Sequence, residues 1–279
     1  MNEHPRQKDQ PMTTPQPLVR GELVEKGIIR LTLNSPRNFN ALSMAMIEAL
    51  NAALEEAYAD PRVRVIILAA EGRGFCAGHD LKELRHHQEN DADGGRAFFT
   101  ELFDRCTAMT EAMTTAPRII IAQVHGIATA AGTQLVASCD MVVASAQARF
   151  GVNGISAGLF CSTPMVPLSR AIGQKKCIEL LTTGRLMDAE EARMSGLVNH
   201  IAAAGELSGK TLEMARAAAA KSGAVLAIGK QAFYRQAEMS LSDAYAYTRG
   251  VITENLLHAD AREGICAFTE KRPPKWKDD

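Results

Sequence analysis

Short β-branched runs alternate with stripes of apolar residues at helical spacing through most of the chain. Ile28-Ile29-Arg30-Leu31-Thr32-Leu33 predicts a strand, closed by the turn-forming Asn34-Ser35-Pro36. Met44, Ile47, Leu50, Leu54 and Tyr58 then recur near a helical period, with Ser43 placed to cap the helix and Asp60-Pro61 to stop it. Residues 63–69 and 118–124 are too apolar to leave one face wet, so each reads as a strand inside a covered sheet. Helices are expected near 98–113 and through 135–138, a short strand at 141–144, and irregular glycine-rich chain at 150–159. From 164 to 271 the pattern is helical. The register of strand, loop and helix thus repeats several times before the chain turns all-helical.

The pattern divides the chain into an α/β core over 19–202 and a helical region over 203–279. Before them, residues 1–18 hold Pro5, Pro11, Pro15 and Pro17 among polar residues and read as a disordered leader rather than a targeting signal. The helical region is richer in apolar residues than a thin peripheral layer needs. An oligomer interface and a helical cover over the core are equally open uses for the excess.

Composition narrows the function classes. Hydrophobic residues make up 46% of the 279 positions, enough for one substantial core, which excludes disorder for the bulk of the chain. With 31 Lys and Arg against 32 Asp and Glu, the net charge of −1 argues against a nucleic-acid or anionic-membrane surface. Aromatics are only 5%, which argues against stacking on exposed bases as the activity. No run approaches the length needed to span a bilayer. Cys76, Cys106, Cys139, Cys161, Cys177 and Cys266 form no C-x-x-C pair and lie at no zinc-finger spacing. They read as reduced, mostly buried thiols, with no structural metal, in a soluble cytoplasmic protein.

The candidate chemistry lies where buried strands end in small residues. In Phe75-Cys76-Ala77-Gly78-His79-Asp80-Leu81-Lys82-Glu83, and again from Gly126 to Gly132, glycine and alanine let a ligand approach the backbone, and a helix start offers free N–H groups. Two such loops could aim one N–H each at a single carbonyl oxygen, the geometry of an oxyanion hole. Tight strand-to-helix turns are the alternative for either loop alone.

Taken together and in order, these segments resemble the enoyl-CoA hydratase/isomerase (crotonase) superfamily. The likeness rests on Asn34-Ser35-Pro36-Arg37-Asn38-Phe39-Asn40-Ala41-Leu42-Ser43, on 72–82, on His125-Gly126 through Cys139-Asp140, on Leu181-Thr182-Thr183-Gly184 with 188–192, and on Ala267-Phe268-Thr269-Glu270-Lys271-Arg272. It implies a spiral of ββα repeats with a helical C-terminal oligomerisation region, as a homotrimer or a dimer of trimers. It implies a coenzyme A thioester as substrate and no permanently bound cofactor. The resemblance puts His79 and Ala131 in the oxyanion hole, with alanine where glycine is usual. It puts Ala77, His79 and Leu81 against the adenine, Arg37, Asn38 and Phe39 beside the nucleotide, and Lys82 and Lys271 as cations for its phosphates. For Lys271 an ordinary solvated lysine is the favoured reading.

One departure from the family bears on chemistry. Hydratases of the family carry two glutamates that position and activate water. Here their places hold Gln134 and Gly154. Glutamine can hold a water but cannot take its proton at neutral pH, and glycine does neither, which removes groups each typically contributing about 10²–10⁴-fold. Asn153, Cys161, Ser162 and Thr163 would border the acyl end, and Ser162 matches a position where some isomerases have Asp. For Ser162-Thr163-Pro164 a capped helix start is the favoured reading. His79 could donate a proton or bind a carboxylate, and Ala-Gly-His-Asp is similar to the methylmalonyl-CoA decarboxylase branch. The set Gly-His-Asp, Thr-Ala-Ala-Gly-x-Gln-Leu and Gly-Leu-Phe-Cys-Ser-Thr-Pro also looks like the domain-containing-protein-3 branch. His86 and His87 fall in an expected mobile surface segment. The sequence therefore leads to an acyl-CoA enzyme of this family with weak or absent hydratase activity. A decarboxylase or thioesterase using His79 and a non-catalytic acyl-CoA binder remain the alternatives.

Overall fold

The computed structural model describes residues 16–278. The expected leader falls largely outside them, but Pro17 and Leu18 are already tied down, their carbonyls accepting hydrogen bonds from the Asn34 side chain and backbone. Strand β1 (Val19–Glu25) pairs antiparallel with β2 (Ile28–Leu33), and a 3₁₀ turn at Pro36–Asn38 leads to α1 (Met44–Ala59). Ser43 caps α1, its side chain accepting from the Met46 N–H.

Three successive units follow one plan, in which two strands go to two different sheets and helix follows. The first is β3 (Val65–Ala70) and β4 (Gly74–Cys76) with α2 (Leu81–Asn90) and α3 (Arg96–Thr115). The second is β5 (Ile119–Val124) and β6 (Ile127–Thr129) with α4 (Ala131–Ser138). The third is β7 (Met141–Ser145) and β8 (Arg149–Gly151) with α5 (Met165–Ala171) and α6 (Gln174–Thr183). The chain continues through β9 (Leu186–Asp188), α7 (Ala189–Met194) and β10 (His200–Ala202) into α8 (Leu207–Ala219), α9 (Gly223–Gln236), α10 (Leu241–Leu257) and α11 (Ala259–Thr269).

The larger sheet has the order β1-β2-β3-β5-β7-β10, parallel from β2 onward, and the smaller has the order β4-β6-β8-β9. This is the expected spiral of ββα repeats. Strands β3 and β5 are buried on both faces, as their apolar runs required. Ile66, Leu68, Ile120 and Ala122 face the main core with α1, α3 and α4. Val65, Ile67 and Ile121 face a second cluster closed by Ala215 and Ala219 of α8.

The sequence reading needs correction in four places. Strand β1 was not expected, because its residues are mostly exposed and leave no apolar pattern. Strands β4, β6, β8, β9 and β10 interrupt segments read as loop, irregular or helical, since three-residue strands are too short to show a period. His86 and His87 lie on helix α2 rather than in a mobile segment: the His87 ring stacks on Phe98 at 3.6 Å and its Nδ1 lies 2.9 Å from Asp91 Oδ2. Neither Ser162 nor Thr163 caps α5, whose first turn is preceded by Pro164 with no side-chain cap, and the Ser162 hydroxyl turns back to the Phe160 carbonyl at 3.3 Å. Among the described residues, no helix is long and apolar enough to cross a membrane.

Candidate active site

Two loops at the ends of neighbouring parallel strands meet at one point. Strand β4 runs beside β6, so the chain leaving each emerges on the same edge of the small sheet. Gly78, at φ +88°, turns the first loop so tightly against the second that a Cβ there would stand 2.8 Å from Ala130 Cβ and 3.1 Å from the Ala131 nitrogen. A Cβ on Gly132 would stand 2.2 Å from the Cys76 carbonyl oxygen. Only glycine permits these approaches. The backbone at Gly78 therefore packs directly against that at Ala131, and among the described residues no acceptor is found for the N–H of His79 or of Ala131. Two uncommitted backbone donors at adjoining strand ends can polarise one carbonyl oxygen.

The unusual backbone in the second loop belongs to Ala130 rather than Ala131. Ala130 sits at φ 51°, ψ −122°, a conformation glycine prefers, while Ala131 opens α4 in the helical region. Alanine at 131 thus costs the loop nothing. Ala130 is held there by its own N–H donating to Gly151 O at 2.9 Å, and the Thr133 hydroxyl joins the Ala128 and Gly151 carbonyls at 2.8 and 2.7 Å.

The first loop is held by a third segment. The Leu42 N–H donates to Gly78 O at 2.8 Å, the Ala77 N–H donates to Phe39 O at 3.0 Å, and Leu42 bridges His79 in parallel pairing. Asn40, fully buried at φ 53°, donates its amide to the carbonyls of Glu71, Gly74 and Phe75 and accepts from the Ser35 N–H. Asp80 caps α2 by accepting from Lys82 N and Glu83 N, and Glu83 reaches across to accept from Met44 N at 3.0 Å. These bonds bring Phe39, Ala77, His79, Leu81 and Lys82 into one cluster, with Arg37 and Asn38 on the adjoining turn. Arg37, Asn38, Leu81 and Lys82 are exposed, and Arg73 lies over the Phe39 ring at 5.3 Å. Lys271 is exposed just past the end of α11, and among the described residues no bond joins it to the cluster.

The His79 ring has one committed nitrogen and one bare one. Nδ1 lies 3.2 Å from the Leu42 carbonyl, which can only accept, so the proton sits on Nδ1. Nε2 is shut off from solvent and unpartnered, and the ring meets Phe103 edge-on at 5.1 Å. Burial holds the imidazole below its ordinary pKa of 6.5, against a weaker upward pull from the Leu42 bond. A neutral ring with a bare acceptor does not attract a carboxylate.

Gln134, one helical turn after Ala131, is buried with its Nε2 donating to Thr110 Oγ1 at 3.2 Å and its Oε1 without a partner. Gly154 lies in a 3₁₀ turn at Asn153–Ala157, where a Cβ would meet Leu159 O at 2.6 Å and Cys161 Sγ at 2.8 Å. Any side chain at Gly154 would therefore meet the chain at Leu159 and Cys161. Asn153 Oδ1 accepts from the Thr129 hydroxyl, and Ser162 is exposed on the far side of Cys161. The thiols of Cys76 and Cys106, each buried, are pushed up to about 12 by burial and stay protonated. Among the described residues, no cluster of His, Cys, Asp or Glu is placed to hold a metal ion.

Asn40, Phe103 and Thr110 were not singled out by sequence reasoning as site residues. Thr110 carried a signal, a polar residue on the apolar stripe of Cys106, Met109 and Met113. Asn40 lies within the segment Asn34 to Ser43, but its positive φ has no sequence signature beyond asparagine's tolerance for it.

The sequence profile described as enoyl-CoA hydratase/isomerase matches residues 24–279. The chain belongs to the enoyl-CoA hydratase/isomerase family. It is 44% identical over 252 residues to the Xenopus laevis mitochondrial enoyl-CoA hydratase domain-containing protein 3, covering 90% of this chain and 84% of that one. Among solved structures, an enoyl-CoA hydratase of Mycobacterium smegmatis superposes with a TM-score of 0.88 at 46% identity, covering 94% of this chain and 99% of the other. Human enoyl Coenzyme A hydratase domain-containing protein 3 does so at 0.88 and 39% identity, covering 93% and 100%. Both the expected family and the domain-containing-protein-3 likeness are thereby met, and other relatives, such as one from Thermus thermophilus at 35% identity, carry the name "Putative enoyl-CoA hydratase".

Proposed function

We propose that this family member binds a coenzyme A thioester, holds its carbonyl oxygen between the N–H groups of His79 and Ala131, and stabilises the enolate formed when a proton leaves the adjacent carbon. The observation that carries the reading is the meeting of the two loops at Gly78 and Ala131, with both donors uncommitted. In this step the C–H bond breaks, its electron pair passes to the thioester oxygen, and the proton goes to the bare Nε2 of His79. The Leu42 carbonyl then supports the charge on Nδ1. The nucleotide is met by Phe39, Ala77 and Leu81 with Arg37 and Lys82, the thioester needing no resident cofactor.

Hydration of a simple 2-enoyl thioester is slow on this reading, because neither Gln134 nor Gly154 can take a proton from water. Decarboxylation of a malonyl-type thioester is disfavoured by the neutral ring of His79. We place the protein as a homotrimer or dimer of trimers, supported by the exposed Leu241, Tyr245, Ile252 and Leu256 of α10 and Phe268 of α11.

The test is exchange of the thioester α-hydrogens of butyryl-CoA for deuterium in D₂O, read by mass spectrometry. Catalysed exchange that is lost in Gly132→Ala and reduced in His79→Asn is the expected result. Saturable binding with no exchange would leave a non-catalytic binder, and crotonyl-CoA hydration at rates ordinary for an enzyme would overturn the part assigned to Gln134 and Gly154.

A further inference from the structure

The helices past α8 bury little that is apolar. Beyond residue 219, and among the described residues, the buried hydrophobic side chains are Ala232 and Ala267 alone, beside the buried polar Ser222, Lys230 and Asp260. Two alanine methyls remove too little apolar area from water to hold three helices in place. What fastens α9–α11 is polar and falls in two places. One is Lys230, which donates to the carbonyls of Met113 and Arg118 and to Asp140. The other is the segment 272–278, which runs back along α11 to the turn between α8 and α9. Arg272 pairs with Glu263, whose Oε1 also accepts from Lys275 N at 2.7 Å. Trp276 lies on Gly264, where a Cβ would stand 3.3 Å from its ring, and its Nε1 donates to Ala220 O at 2.8 Å. Asp260, 1% exposed, then accepts from Lys277 N at 2.7 Å, from Asp278 N at 3.1 Å and from the Ser222 hydroxyl at 2.6 Å. Ser222 caps α9, so one carboxylate holds the C-terminal segment, α11 and the start of α9. The Asp278 carboxylate accepts from Gly223 N and pairs with Arg64, just before β3, whose Nη1 donates to Ala219 O.

We propose that residues 272–278 are a strap with Asp260 as its catch, and that releasing it lets α9–α11 open from the core as one unit while both sheets stay folded. A region with few buried apolar contacts opens locally, at a free energy below that of unfolding the whole chain. The opening reaches the candidate site through α3. Lys230 and Gln231 of α9 donate to the Met113 and Thr115 carbonyls at the end of that helix, and Phe103 on the same helix meets the His79 ring. The inference stands apart from the acyl-CoA reading, since it concerns only how the chain holds itself together.

Trp276 is the single tryptophan of the chain, so its emission reports the strap directly. In full-length Asp260→Ala that emission is expected to shift to the red. Hydrogen–deuterium exchange read by mass spectrometry should then show the amides of α9–α11 exchanging about ten- to a hundredfold faster, with those of β3, β5 and α4 at their wild-type rates. Lys277→Pro deletes the N–H that Asp260 Oδ1 accepts and leaves every buried side chain in place. It should give the same pattern more weakly, and it supplies the answer if Asp260→Ala does not fold. Exchange that rises in β3 and β5 together with α9–α11 would overturn the inference, because the helices then open only with the core. So would a red-shifted Trp276 over unchanged exchange in α9–α11, and so would an emission that neither variant moves.

Discussion

Lys230 Nζ lies 2.8 Å from Asp140 Oδ2, the amine buried and the carboxylate nearly so, where α9 crosses the end of α3 and the start of β5. The amine also donates to the carbonyls of Met113 and Arg118, while the carboxylate accepts from Ile120 N and Tyr234 OH. Burial pulls the amine down and pushes the carboxyl up, yet each finds a full set of partners. The network fastens α9 to the end of the large sheet where β5 and β7 begin, and so bears on the site only through the fold.

Removing one partner strands the other. Lys230→Met is expected to lower unfolding free energy by about 3–5 kcal/mol, because it leaves Asp140 unpaired in the interior. Asp140→Asn added to that variant should recover part of the loss, since asparagine still accepts from Ile120 N without carrying a charge. Urea unfolding of the two variants checks both statements.

Asn40 acts closer to the ligand. Its four hydrogen bonds join the turn at 35–39 to the chain on either side of β4, and alanine would leave the Ser35 N–H and three carbonyls to find other partners. Asn40→Ala is expected to cost about 2–4 kcal/mol, the more so because alanine tolerates φ 53° less well. Loss of register between Phe39 and Ala77 should also weaken binding of coenzyme A itself, measurable by titration with the free cofactor.

Restoring glutamates should not restore a hydratase. At Gly154 a Cβ meets the Leu159 carbonyl and Cys161 Sγ below 3 Å, so Gly154→Ala alone is expected to cost about 1–3 kcal/mol. The double variant Gln134→Glu/Gly154→Glu should be destabilised and no better than Gln134→Glu alone at hydrating crotonyl-CoA. Thermal unfolding and the absorbance of the enoyl thioester report the two effects, and a large gain in hydration would show the turn to be more yielding than its contacts imply.

Much of this arrangement was legible in the sequence because its devices are local. Ser43 caps its helix from the adjacent position, and the double-faced apolar runs of β3 and β5 announce a covered sheet. The meeting of Gly78 with Ala131 was readable only through resemblance, since fifty residues and a sheet register separate them. The protonation of His79 depends on a carbonyl contributed by Leu42, and the orientation of Gln134 on a hydroxyl two turns along another helix. No spacing rule encodes either. Strand β1 escaped because an exposed edge strand needs no apolar residues, and β4, β6 and β8 to β10 because three residues define no period.

The protonation of His79 makes a prediction in pH. Its folded pKa lies below the ordinary 6.5, so as pH falls through 6.5 the unfolded ring gains a proton before the folded ring does. Protonation then favours the unfolded chain, and the contribution is fully present above 6.5 and declines as pH falls toward the folded pKa. The wild type should therefore lose stability over that window more steeply than His79→Asn, whose side chain does not titrate. If Nε2 is the proton acceptor, deuterium exchange into butyryl-CoA should be flat above pH 6.5 and fall only below it. The His79 ring resonances, assigned by their absence in His79→Asn, should titrate with the same midpoint. A midpoint at or above 6.5 would mean that the ring is open to solvent, and that its Nε2 is not the closed-off, bare acceptor on which proton transfer at the thioester depends.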